Sequence, residues 1–358
     1  MAATKMLRPN VGLYVATSDA FVDWTAPTLT EITAAAKVFN ISPAVTDDYT
    51  LNMTDSDADT SLSIIDNADV QTPTYHNYEA SLDGFRDANL SATSVYNKFR
   101  DLFDAPDVKY YLIKRVGKTH NAAFAQGDEI SIYGVKTDFP IDLVGDGEMV
   151  RMGARFLTTG EVKVNVAVGA GTAGSGPELR TTVGTKMVSN AKIRVDWVDA
   201  ADVTNEAAFL ATPDKDILNG GINLSQAIAW DSYDLGANDS NKIDDRAIVD
   251  EGQNQTRGFA QFSGSLMFFR DADKAADSIY NDVYAAFKAA TDGSRPEGYL
   301  VTRIGYGPSV DHAAGQVVSV FKFIADAFMD NTEGEDSVKY MVNFMPQGRL
   351  GVHVTSAA

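Results

Sequence analysis

The chain has 358 residues, 44% of them hydrophobic, enough to bury cores in two or three domains of ordinary size. Forty-nine acidic against 30 basic side chains give a net charge of −19, which excludes a protein that wraps nucleic acid through phosphate contacts. Cysteine is absent and only four histidines are present, which excludes disulfide frameworks, thiol nucleophiles and thiolate metal sites. No apolar run reaches the length of a membrane span and Met1-Ala2-Ala3-Thr4-Lys5 does not open a secretory signal, so an acidic, soluble protein made in a cytoplasm is expected.

Alternation with period two predicts a first strand over residues 10–16. The polar stretch 42–62 is long for a loop and reads as a β-hairpin projecting from a sheet edge. Tyr49, Leu51 and Met53 would face one way on it, with Asp55, Asp57 and Asp59 at its tip. A strand over 77–86 leads to a helix over 90–103, where Val95, Phe99, Leu102 and Phe103 draw one apolar stripe. Ser91 is the expected cap of that helix, and Asp104-Ala105-Pro106 ends it. Strands follow at 109–116, 128–137, 148–157 and 161–168, the last two joined by a tight turn at Thr158-Thr159-Gly160. In 161–168 the valines at 162, 164, 166 and 168 line one face, as an antiparallel sheet with one dry face requires. Residues 167–190 are rich in glycine, threonine and serine and fit a flexible linker, or an arm that orders only against a neighbour.

The second half repeats the first. Shifted by 184 positions, Phe85-Arg86-Asp87-Ala88 falls on Phe269-Arg270-Asp271-Ala272 and Tyr96-Asn97 on Tyr280-Asn281. Over residues 60–103 against 244–287, 15 of 44 positions are identical without a gap. A four-residue insertion near Asp292-Gly293-Ser294-Arg295 then changes the shift to 188, which holds through the end of the repeat. Tyr111-Leu112-Ile113 matches Tyr299-Leu300-Val301, and Asp138, Phe156 and Gly160 match Asp326, Phe344 and Gly348. Three such blocks in order mean two copies of one domain, each with a helix (90–103, 274–290) against a curved antiparallel sandwich or barrel. The second polar stretch is 224–246, and Pro346-Gln347-Gly348 is the second tight turn.

Motifs with chemical meaning are few. Gly169-Ala170-Gly171-Thr172-Ala173-Gly174 spells the dinucleotide fingerprint, but Gly176-Pro177 and the polar run beyond supply no helix to receive a pyrophosphate. Asp55, Asp57, Asp59 and Asp66 occupy positions 1, 3, 5 and 12 of a calcium loop. Thr60 replaces the glycine and an aspartate the terminal glutamate, so solvated turn carboxylates compete with that reading. The pairs Arg86/Asp87 and Arg270/Asp271 read as structural, fastening a strand end to the helix that follows. Arg115 and Arg303 lie mid-strand among apolar residues and should reach an acidic partner, across an interface where none is near. No base, nucleophile and orienter fall together, so no catalytic residue and no cofactor is expected.

The Phe-Arg-Asp strand end before a Tyr-Asn helix, the Tyr-Leu-Ile-Lys-Arg strand and the closing Thr-Gly-Glu-Val-Lys-Val-Asn-Val segment resemble the major tail tube proteins of long-tailed (siphovirus-type) bacteriophages. The resemblance implies a mainly β chain with two tandem tail-tube-like β-sandwich or barrel domains, each flanked by one α-helix. They span 1–168 with an N-terminal arm and 190–358, with 169–189 as linker or arm. It further implies rings of six domains, here three chains with pseudo-sixfold symmetry, stacked into a virion tube that conducts double-stranded DNA. The hairpins at 42–62 and 224–246 and the arm at 1–10 would bridge stacked rings. A tape measure protein would fill the lumen, and tail terminator and distal tail or baseplate proteins would close the ends. An acidic lumen repels phosphates, and Glu79, Asp83, Glu129, Glu148, Glu161, Glu335 and Asp336 are its candidates. Rival readings are a contractile-tail or secretion-system tube, a capsid decoration or baseplate hub protein, and a glycan hydrolase with an acidic pair in an aromatic cleft.

Overall fold

The strand over Tyr78–Phe85 buries one set of alternating side chains. Tyr78, Ala80, Leu82 and Gly84 point into a core, while Glu79, Ser81, Asp83 and Phe85 stand on the other face. A computed structural model describes residues 10–54, 57–60, 71–75, 77–145, 148–180, 182–189, 192–230, 233–244, 254–273, 277–288, 295–326, 329–331 and 337–358. The first copy runs β1 (Val11–Thr17), α1 (Leu29–Ile32), β2 (Val38–Asn40), β3 (Thr50–Met53), β4 (Asp57–Thr60), β5 (Gln71–Tyr75), β6 (Tyr78–Phe85), α2 (Val95–Phe103), β7 (Lys109–Val116), β8 (Glu129–Thr137), β9 (Ile141–Leu143) and β10 (Arg151–Ala167). The second runs β11 (Ile193–Asp199), α3 (Glu206–Ala211), α4 (Lys215–Gly220), β12 (Ile222–Asn223), β13 (Asp234–Asn238), β14 (Lys242–Asp244), β15 (Gln255–Arg257), β16 (Gln261–Phe269), α5 (Ile279–Phe287), β17 (Glu297–Ile304), β18 (Val317–Ala325), β19 (Met329–Asn331) and β20 (Lys339–Thr355).

The two copies share one topology. The antiparallel order β2-β1-β7-β8-β10-β6-β3 returns as β12-β11-β17-β18-β20-β16-β13. Unusual backbone returns with it: Gly117, Gly127, Gly160 and Asn165 have positive φ, as do Gly305, Gly315, Gly348 and His353, each 188 residues on. Asn165 donates its backbone N–H to Ser131 Oγ at 3.3 Å, and His353 repeats the bond to Ser319 Oγ at 3.2 Å. The chain is therefore mainly β, a duplicated antiparallel domain.

Packing differs where topology does not. Gly84 lies under the Phe99 ring, where a Cβ would collide with it. Their counterparts in the second copy are Phe268 and Val283, so large and small have changed places while both sites stay filled. Helix α2 lays Val95, Phe99, Leu102 and Phe103 on one core cluster with Leu82, Met152 and Phe156. The opposite face of β1, β7 and β8 carries a second cluster, with Tyr14, Ile113, Ile130 and Ile132 covered by Leu29, Ile32 and Phe124. This part of the sheet is dry on both faces, not one, because α1 and its flanking loops cover the second.

Several expectations are corrected. Thr158-Thr159-Gly160 is a bulge inside one 17-residue strand, since residues on both sides of it pair with β8. Three residues stand against Gly134 there, and a Cβ on Gly134 would meet Thr159 Oγ1 at 2.5 Å. Tyr78 ties the bulge down: its hydroxyl donates to Gly134 O and accepts the Thr159 N–H, and burial pushes its pKa up to about 12. A further bulge around Asn165 turns the valine row over, so Val162 packs on one core, Val166 and Val168 on the other, and Val164 is exposed. Helix α2 begins at Val95 with Ser94, not Ser91, as its cap, because Ser94 Oγ accepts the Asn97 N–H at 3.2 Å. Ser278 caps α5 in the same way. The second copy adds α3 and α4 to the single helix expected.

The described chain forms two compact units. The first holds the described residues up to Pro140, Arg151–Lys186 and Ser240–Phe259; the second holds Ile141–Val150, Met187–Asp239 and Ala260–Ala358. Boundaries read as 1–168, 169–189 and 190–358 thus meet an exchange: each unit contains a segment from the other repeat. The described part of 169–186 is no flexible tether but lies on the first unit. Gly174 N–H donates to Thr33 Oγ1 at 2.7 Å, and Glu178 pairs with the β2 edge through Asn40 N–H (2.8 Å) and Val38 O (2.7 Å). Side chains at Gly171 and Gly174 would meet Thr30 N and Thr33 O at 2.8 Å, so these glycines serve close backbone approach.

Gly160→Val should destabilise the protein by about 1–2 kcal/mol in urea unfolding, since a β-branched residue resists the left-handed backbone. An unchanged midpoint would count against the bulge. Gly84→Phe and Phe99→Val should each cost about 1–3 kcal/mol through overpacking and a cavity. The double variant should cost clearly less than the sum, and additivity would refute the exchanged packing.

Candidate assembly interface

Mid-strand arginines find their partners within the chain. Arg115 is 1% exposed; its guanidinium donates to Thr119 O (2.7 Å) and Ala122 O (2.8 Å) and stacks 4.1 Å from the Phe124 ring centre. Asp128 stands 3.6 Å away and is the acidic partner that the sequence called for. Arg303 donates to Asp311 O (2.9 Å), Gly307 O (3.2 Å) and Gln316 Oε1 (2.8 Å), glutamine standing where the first copy has Asp128. Both arginines organise the loop after their strand through their terminal nitrogens, while the buried Nε of each has no hydrogen-bond partner among the described residues.

Asp87 and Asp271 close turns. Asp87 Oδ1 accepts the Asn89 N–H and Asp271 Oδ1 the Asp273 N–H, both at 2.9 Å. A hydrogen bond from Ser278 holds the Asp271 carboxyl below its ordinary range. The repeated Asn97 and Asn281 donate their amides to Asn89 O and Asp273 O, each at 2.9 Å. These bonds join the strand end to the helix. Arg86 is buried, and Arg270 lies 4.4 Å from the Tyr284 ring centre.

A buried cluster escaped the sequence reading. Asp196 accepts from Arg194 Nε at 2.9 Å and lies 2.8 Å from His312 Nε2, all three at most 4% exposed. The counterparts in the first copy are Gly12, Tyr14 and Phe124, so an aromatic contact has become a polar one. Arg194 and His312 lie far apart in sequence, and only a comparison of the two copies position by position signals the change.

Other candidates scatter. Glu79, Glu129 and Glu148 are exposed, but Asp83 is bound to Arg155 at 2.8 Å and Glu161 to Lys109 at 2.6 Å. Counterparts of Glu79, Asp83, Glu129 and Glu161 are Ser263, Met267, Val317 and Arg349; only Glu148 keeps an acid, Asp336, in the other copy, so most of this acidity is not a property of the repeat. Glu335, Asp336, Asp55 and Asp66 lie outside the described residues. Asp57 and Asp59 lie in the extended strand β4, where a calcium loop would wind around its ion. Tyr49, Leu51 and Met53 do share a side, but it is the core side: Leu51 is fully buried and the other two pack on the same cluster. β3 itself is a sheet strand paired with β6. No helix among the described residues is long and apolar enough to cross a membrane.

What the structure brings together is a covered surface. In the first unit, segment 240–259 of the second repeat lies on the bulged strand β10. Ser240 donates through N and Oγ to Asp138 at 3.0 and 2.7 Å, Asn254 bridges Thr159, and Lys242 Nζ reaches Phe156 O at 3.3 Å. Arg257 pairs with Asp107 and lies 4.6 Å from the Phe139 ring centre. Leu157 and Thr158 are consequently 0% and 4% exposed, whereas their counterparts Met345 and Pro346 on β20 are exposed, Met345 at 42%.

A family model described as phage tail tube protein matches residues 1–171 and again 181–358. No curated protein matches the chain. The match covers nearly the whole sequence and divides it where the repeat does: the chain belongs to the phage tail tube protein family, with its domain present twice.

Proposed function

We propose that three copies of this chain close head to tail into a ring of six domains, and that such rings stack into the tail tube of a siphovirus-type phage. The carrying observation is the unequal cover of one surface: residues 157–158 lie under 240–259, while 345–346 are open. A second chain's β4–β5 hairpin is the repeat's own counterpart of the segment that does the covering. An interface that is satisfied within the chain at one copy and open at the other is heterologous, and it ends only by closing a ring or growing without limit.

The tube is a structural virion component without catalysis, assembled in the bacterial host and bounded by terminator and distal tail or baseplate proteins. It houses a tape measure protein and then passes double-stranded DNA. A net charge of −19 keeps phosphate from adhering to its wall. Of the lumen candidates Glu79, Glu129 and Glu148 are exposed, whereas Asp83 and Glu161 are paired with Arg155 and Lys109.

Negative-stain microscopy of the purified protein should show tubes of regularly stacked rings with threefold or sixfold end views. Met345→Glu should abolish the tubes while leaving the circular dichroism and melting of the subunit unchanged, because the side chain is exposed. Normal tubes from that variant would remove the interface assignment. Closed trimers that never stack would favour a capsid decoration or hub protein.

A further inference from the structure

The linker marks a second site of assembly. In the first unit, residues 182–186 run across the start of α2, where the first N–H groups of a helix lack partners within it. Val95 N–H donates to Thr182 O at 2.9 Å, Tyr96 N–H to Val183 O at 3.2 Å and Ala88 N–H to Thr185 O at 2.7 Å. Lys186 forms an antiparallel bridge with Asp87, and its ammonium stands 3.6 Å from the Phe85 ring centre. Gly184, with φ 115°, is required, because a Cβ would run into the Asp87 carboxylate and the Tyr96 ring. The next residue, Met187, already belongs to the second unit; it is 1% exposed and its carbonyl accepts the N–H of Val150 of the same unit at 2.8 Å.

Among the described residues, the counterpart of this seat on the second unit is open. Arg270, Asp271, Tyr280, Asn281, Tyr284 and Lys288 line a cavity of about 480 Å³. Asp87, Tyr96 and Asn97 are all at most 5% exposed, but Asp271, Tyr280 and Asn281 are half-buried. Val150 is fully buried, and its counterpart Val338 is 49% exposed.

The sequence names an occupant. Thr185-Lys186-Met187-Val188, which precedes β11, recurs as Thr4-Lys5-Met6-Leu7, which precedes β1. The family match likewise starts at residue 1 and restarts at residue 181, so both segments open a domain. We propose that Thr4-Lys5-Met6 of a second copy of this chain fills the groove on the second unit, with Lys5 beside Asp271 and Phe269 and Met6 over Val338. The linker seats on the domain before its own. The same relation sends the N-terminal arm to the domain before β1, which in the ring proposed above is the second repeat of another chain. The inference rests on that ring, and it gives the arm a lateral partner rather than a stacked one.

The absence of cysteine makes the test clean. Paired antiparallel residues suit a disulfide, so Asp87→Cys with Lys186→Cys should oxidise within one chain and serves as control. Lys5→Cys with Asp271→Cys should instead give covalent dimers and trimers on non-reducing gels, collapsing to one band with reductant. Val338→Glu added to that pair should remove the ladder without unfolding the subunit. A cross-link confined to a single chain, or none while the variant still forms tubes, would overturn the arm assignment and leave the tube standing. A ladder without tubes would keep the assignment and remove the tube.

Discussion

One constraint governs this protein: a bulged strand exposes backbone and apolar surface that something must cover. The bulge at Gly160 lifts Thr159 out of the β8 ladder, and the freed backbone bridges Asn254 from the other repeat. β20 carries the same bulge at Gly348, with a proline and exposed side chains beside it. A duplicated domain satisfies this demand once internally and leaves it once outstanding. That asymmetry, more than any single residue, makes the chain a part rather than a finished object.

Duplication has also let the copies drift in chemistry while keeping geometry. Gly84 under Phe99 and Phe268 beside Val283 fill equivalent space in opposite order. Tyr14 and Phe124 hold by ring contact what Asp196 and His312 hold by a hydrogen bond. The positions that did not drift are those that shape or satisfy the backbone, namely the positive-φ glycines Gly117, Gly127 and Gly160 with Gly305, Gly315 and Gly348, the cap serines Ser94 and Ser278, and the asparagines Asn97 and Asn281. Side-chain volume is negotiable between neighbours, whereas a left-handed backbone or a capped helix end is not.

Much of the fold is legible in the residues, and the errors have physical causes. The repeat, its two offsets and the strands over 109–116 and 128–137 follow from identities and alternation. Gly160 reads as a turn because a positive-φ glycine serves turns and bulges alike; only the partner strand distinguishes them. Ser91 and Ser94 both suit a cap, though the second copy keeps a serine only at the latter position. Alternation puts Tyr49, Leu51 and Met53 on one side but does not say that the core is there. The glycine-rich stretch reads as a tether because composition does not separate a free chain from a backbone pressed against its neighbour. The surface under residues 240–259 has no local signature, since its two sides are about a hundred residues apart.

Glu178 on the rim of β2 carries a consequence for life before assembly. An unpaired rim invites any passing extended peptide, and aggregation is the usual result. By sealing its own rim, the first repeat withdraws one sticky border from a crowded cell. In the ring proposed above, tethering two building blocks would turn half of the six joints into encounters at high local concentration. Only three joints between molecules would remain, and each completed circle would need fewer chance meetings than one made of six loose pieces.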